Sequence, residues 1–145
     1  MKFIVINGPS INLIGTREPE IYGRDTYADL EKLINETCAA ESIDVDIFQS
    51  NHEGEIIDMI HQTKGKYDAI VINPAAYTHT SIAILDALKA VGLTTVEVHI
   101  SDVNRREYFR QISYVGLASI KSISGQGIDG YRQAILFLKE YLFNF

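Results

Sequence analysis

Phe3 to Ile6 and Ala69 to Ile72 are short runs, apolar without interruption, that each end on an asparagine. Continuous apolar runs of this length mark strands covered on both faces, as in the centre of a parallel sheet. Ile43 to Gln49 differs, since Ile43, Val45 and Ile47 alternate with Asp44 and Asp46. That alternation predicts a strand with one face partly wet, near an edge of the sheet. Thr94 to Ile100 and Ser119 to Ser124 supply two more strands. Between them the period changes. Thr26 with Asp29 three residues on resembles a capping box, and Leu30, Leu33, Ile34, Thr37 and Cys38 then keep helical spacing to about Glu41. Glu53 to Lys64 carries Ile56, Ile57 and Ile60 on one stripe, Ser81 to Val91 predicts another helix, Asn104 to Gln111 a short helical stretch, and Asp129 to Leu142 the last helix. Strands alternating with helices imply a parallel sheet joined by right-handed crossovers. Five strands in 145 residues fit a flavodoxin-like, three-layer doubly wound fold with strand order 2-1-3-4-5, as a single domain spanning 1–145.

Composition narrows the function classes. With 46% hydrophobic and 22% charged residues the chain has an ordinary globular balance. A net charge of -6 and a pI near 5.1 argue against a nucleic-acid or anionic-membrane binder, which would need a basic face. A small anionic ligand needs only one local arginine and a few backbone amides. The single cysteine, Cys38, forms no internal disulfide and no cysteine zinc site, which points to a reducing compartment. No run approaches about 18 apolar residues, and no signal-peptide pattern follows Lys2, so a cytoplasmic location is expected.

Candidate chemistry gathers in three places. The loop from Asn7 to Gly23 is far longer than the usual 2 to 6 residues, roughly, of a strand-to-helix connection, and such loops are more often functional or disordered than decorative, disorder being the weaker reading here. Ile11, Leu13, Ile14 and Ile21 suggest that it folds over something and buries part of itself. Within it Arg17 stands five residues before Tyr22, and a guanidinium beside a phenol is one way to make tyrosine usable as a base. In the predicted strand order the loops after strands one and three face each other. The second of these reads Asn73 to Ser81 and includes His79. On the fourth strand Glu97, His99 and Ser101 share one face and Val96, Val98 and Ile100 the other. A Glu–His pair at this spacing is either a satisfied core pair or an imidazole held by Glu97 to deliver a proton at the ligand edge. Other motifs fall away. Gly125, Gly127 and Gly130 spell GxGxxG, but too little chain follows for a second strand, so they read as turn glycines that let the last helix start close to the sheet. His52, His61, His79 and His99 offer no short metal-ligand spacing, His61 falling on a solvated helix face. No GxSxG elbow occurs, and the lysines fall where they would be solvated, against a Schiff base.

Together the first loop, Thr78 to Ser81, Glu97 to Ser101 and Arg106 to Arg110 resemble type II 3-dehydroquinate dehydratase, and the likeness runs nearly end to end. The resemblance implies a carbon–oxygen lyase of the shikimate pathway. Such an enzyme removes water from 3-dehydroquinate by anti elimination through an enolate, without metal, organic cofactor or Schiff base, and works as a homododecamer of four trimers. It places the base on Tyr22, the general acid on His99 and charge stabilisation on Arg17. The substrate carboxylate would meet the amides of Ile100 and Ser101. Its ring hydroxyls would meet Asn73, His79, Arg110 and an Asp86 from a neighbouring subunit, with Leu85 and Leu88 as apolar sites on the same helix. Two positions depart from the family pattern. Ser10 stands where asparagine is usual, and Ala75 where glycine is usual, which suggests a loop that either avoids positive φ or has shifted. Two other classes share the fold: an FMN-binding electron carrier, and a non-catalytic small-ligand-binding domain.

Overall fold

The computed structural model describes residues 1–16 and 18–144, with Tyr22 described in its backbone alone. Strand β1 (Lys2–Asn7) leads into the long loop, which carries a 3-10 turn at Ile11–Leu13 and a four-residue helix, α1 (Pro19–Tyr22). Helix α2 (Tyr27–Ala40) opens on the expected capping box, the Thr26 hydroxyl accepting from the Asp29 amide and the Asp29 carboxylate accepting from the Thr26 amide. Then follow β2 (Asp44–Gln49), α3 (Glu53–Gln62), β3 (Ala69–Asn73), α4 (Ile82–Val91), β4 (Thr94–His99), β5 (Lys121–Ser124) and α5 (Asp129–Phe143).

The sheet is parallel throughout with order β2-β1-β3-β4-β5. The two uninterrupted apolar runs are its central strands, and the alternating one is an edge. Each face has its own core. Phe3, Val5, Val71, Val96 and Val98 pack under α2 and α5, and Ile4, Ile6, Ile70 and Ile72 under α3 and α4. Alternate residues of one strand face opposite sides of the sheet, which is the period of the pleat. Cys38 is buried in the first core, and burial pushes its thiol up to about 11, so it behaves as an inert apolar residue. Among the described residues, no helix is long and apolar enough to cross a membrane.

Differences from expectation lie between the regular elements. In place of one helical stretch over 104–111 there are two 3-10 turns, Val103–Arg105 and Tyr108–Arg110. Asp102 caps the first through its carboxylate, and Arg106 is extended between them, which breaks the helical run. Ala75 takes φ 53 in spite of its methyl group, so the loop uses the positive angle that glycine would adopt freely. This conformation costs an L-residue about 1–2 kcal/mol. It is held by the Ala75 amide donating to Asn73 Oδ1 (3.1 Å) and by the Tyr77 amide donating to the Pro74 carbonyl (3.2 Å).

Candidate active site

The carboxyl ends of β1, β3 and β4 surround a cavity of about 150 Å³. In an open parallel sheet the crevice lies at this edge, where the connections leave the switch point in opposite directions. Pro9, Ser10 and Ile11 form one wall, and Asn73, Ala75, Ala76 and His79 a second. His99, Ile100 and Ser101 form a third, closed by Val103, Arg106 and Arg110. Six residues expected at the site thus meet in one cavity: Asn73, His79, His99, Ile100, Ser101 and Arg110. Asp86 does not join them. It is exposed on the outer face of α4, where only another molecule would bring a ligand to it. Arg17 and the Tyr22 side chain, the expected charge stabiliser and base, lie outside the described residues.

The Glu–His pair is formed. Glu97 is 2% exposed and His99 6%, and the His99 Nε2–H donates to Glu97 Oε2 at 2.9 Å. The hydroxyls of Ser113 and Ser122 also donate to the Glu97 carboxylate, so both its oxygens are engaged. Burial works against the charge of Glu97. The hydrogen bond and charge of His99, with the two serine hydroxyls, outweigh it and hold the carboxyl below its ordinary value. An ionised carboxylate on Nε2 fixes the tautomer and leaves Nδ1 as the atom able to exchange a proton with a ligand. The two serines carry no signal in the sequence, because one comes from a loop and the other from the far edge strand.

His79 is set differently. Its Nδ1–H donates to the Ile112 carbonyl at 2.7 Å, since a carbonyl only accepts. Burial, against that hydrogen bond, and then the charges of His99, Arg110 and Arg106 hold the imidazole below its ordinary value. It is therefore neutral near neutral pH, with Nε2 as a hydrogen-bond acceptor. Arg110 donates through Nε to Glu107 (2.7 Å), which leaves its terminal nitrogens to the cavity it lines.

Ser10 reaches the cavity with φ 66, its amide donating to Asn51 Oδ1 at 3.0 Å. Asn12 is exposed, and its Oδ1 accepts from Gln49 Nε2 at 3.3 Å. Ile11 and Ile14 are buried beneath, as expected of a loop that folds onto the domain. Gly8 permits the close approach of the first and second walls, because a Cβ there would lie 2.4 Å from the Pro74 carbonyl oxygen.

A doubly wound α/β protein with a carboxylate-held imidazole, a neutral histidine and arginines around a switch-point cavity is built to bind and protonate a small polar ligand. The chain belongs to the class II dehydroquinase family: the family model described as Dehydroquinase class II matches residues 1–139. A 3-dehydroquinate dehydratase of Corynebacterium glutamicum is 50% identical over 134 residues, 92% of each chain. One from Rhodopseudomonas palustris is 56% identical over 132 residues, covering 90% of this chain and 87% of its own. The crystal structure of type II dehydroquinase from Butyrivibrio crossotus superposes with a TM-score of 0.94 at 50% identity, covering 96% of this chain and 97% of that one. These likenesses do not favour an FMN carrier or a non-catalytic domain.

Proposed function

We propose that the protein is a 3-dehydroquinate dehydratase, a hydro-lyase that removes water from 3-dehydroquinate by anti elimination to give 3-dehydroshikimate in the shikimate pathway. The observation that carries this reading is the buried Glu97–His99 pair opening on a cavity lined by Asn73, His79 and Arg110, in a chain of the class II dehydroquinase family. Tyr22 removes the proton beside the ketone, with Arg17 favouring the phenolate, and the electron pair moves into an enolate. Collapse of the enolate expels the β-hydroxyl group, which takes a proton from His99 Nδ1 and leaves as water. Glu97 stabilises the imidazolium before transfer and holds the ring through it. The amides of Ile100 and Ser101 receive the carboxylate. A ring hydroxyl donates to the neutral His79 Nε2, others accept from Asn73 and Arg110, and Asp86 serves the site of a neighbouring subunit. The protein acts as one catalytic domain in the cytoplasm, assembled as a homododecamer of four trimers.

The test is ultraviolet absorbance of the conjugated enone when 3-dehydroquinate is added. The band should rise with the unmodified protein. It should rise more than about 100-fold more slowly with Tyr22→Phe, the scale of a lost general base, at unchanged circular dichroism. Absence of the band in the unmodified protein defeats the reaction, and full turnover by Tyr22→Phe defeats the base.

A further inference from the structure

The glycine-rich stretch from Gly125 to Tyr131 has no part in the reaction above, yet it reaches two walls of the cavity from behind. Gly125 and Gly127, at φ 77 and 61, direct their amides to the carbonyls of Ser101 and Ile100, each at 3.1 Å. In a trans peptide the C=O and the following N–H point in opposite directions. Clamping the Ile100 carbonyl therefore aims the Ser101 N–H away from the turn. Gly130 then brings α5 against the sheet, since a Cβ there would lie 3.2 Å from Val98 and 3.4 Å from Ile123. The next side chain, Tyr131, passes under the ends of β1 and β3.

Tyr131 is wholly buried. Its hydroxyl donates to Asn7 Oδ1 at 2.7 Å and accepts from Asn73 Nδ2 at 2.8 Å. Burial pushes the phenol well above its ordinary range, so it stays protonated and keeps both bonds. The other end of the Asn73 amide accepts from the Ala75 amide at 3.1 Å. An amide anchored at both ends has no freedom to flip, and one N–H of Nδ2 remains unspent. Asn73 lines the cavity, whereas Asn7 is buried and is not among the described residues lining it.

We propose that Tyr131 is a positioning residue of the site: its phenol locks the Asn73 amide so that the remaining N–H is offered to a substrate hydroxyl. The inference rests on the proposed reaction and on the part given there to Asn73.

A double-mutant cycle on the full-length protein tests it, with kcat and KM read from enone absorbance and folding from thermal melts. Tyr131→Phe removes one oxygen and should raise KM about ten-fold with a much smaller fall in kcat, as for lost ground-state binding. In the Asn73→Ala background the same change should add less than about two-fold, because the group it acts through is gone. A KM unchanged by Tyr131→Phe, when Asn73→Ala does raise KM, overturns the role. So does an equal cost in both backgrounds, which is the behaviour of general destabilisation. If Tyr131→Phe does not fold, Asn7→Ala carries the test, since it removes the acceptor that orients the phenol. KM should then rise about three-fold, again only while Asn73 is present, and no rise overturns the inference. No enone from the unmodified protein defeats the reaction, and this inference with it. A silent Asn73→Ala defeats the inference and the binding part given to Asn73, and leaves the reaction standing.

Discussion

Ser10 sits on the cavity wall at φ 66, at a position where the resemblance implies an asparagine. Asparagine enters the left-handed region more readily than serine, and its amide offers two donors on a longer arm. Asn12 is no substitute, because it is exposed and tied to Gln49. A water bridging the shorter hydroxyl to a ligand would recover part of what a direct donor supplies. Ser10→Asn is expected to raise kcat about 3- to 30-fold, with Asn12→Ala nearly neutral. Steady-state kinetics check this, and the reverse ranking would transfer the role to Asn12. His79 gives a pH signature at the same scale. Its folded imidazole binds a proton less readily than the ordinary value of 6.5. Between that depressed value and 6.5 the unfolded chain holds more protons, so stability is complete above 6.5 and is lost as pH falls through the folded value. Urea unfolding at about pH 7.5 and about pH 5.5 should show a smaller acid loss in His79→Gln than in the unmodified protein. Equal losses would rule His79 out as the source.

At the scale of elements, the ends of β1 and β3 are joined more tightly than strand pairing requires. The Gly8 amide donates to the Asn73 carbonyl at 2.8 Å, and the Pro74 carbonyl occupies the space where a side chain at Gly8 would begin. Gly8→Ala forces backbone apart, since the obstacle is a carbonyl and not a flexible side chain. An overpacking cost of about 1–3 kcal/mol is expected, together with a raised KM because two cavity walls separate. A melting temperature and a KM equal to those of the unmodified protein would show that the loops yield freely. The glycines of the last turn answer to expectation. Gly125 and Gly127 take positive φ and Gly130 allows α5 to touch the sheet, so the GxGxxG spelling records backbone geometry and close packing.

On the scale of the molecule, Asp86 lies outside its own chain's cavity, on α4, whose outer surface carries Ile82 at 54% exposure. Leu85 and Leu88, read from the sequence as apolar sites of the same helix, are buried in the chain's own fold and cannot form an outer face. Exposed apolar side chains in this region are Ile82 and Leu117, the latter 70% exposed on the 3-10 turn Val115–Ala118 that packs against α4. If Asp86 completes a neighbour's site, as proposed above, Ile82→Lys with Leu117→Lys should lower the mass seen by light scattering, and kcat should fall in step. A monomer with full activity would end the assembly argument.

The sequence by itself determined the sheet and its order, because burial on both faces writes continuous apolar runs at β1 and β3 and one wet face writes the alternation at β2. It also determined the start of α2, since the Thr26 and Asp29 side chains, three residues apart, bond each other's amides. His99 was legible for the same local reason, as a polar residue two after Glu97 on a strand otherwise buried. The tertiary structure alone decided who completes the site. Ser113 and Ser122 reach Glu97 from 16 and 25 residues away, and Tyr131 reaches Asn7 across 124. No periodicity links such positions, because hydrogen bonds between elements depend on how helices and loops dock, whereas periodicity reports only which face of one element is buried. The same limit applies to Ala75, whose positive φ is held by its amide donating to Asn73 and by the Tyr77 amide donating to the Pro74 carbonyl, against the preference of its own side chain.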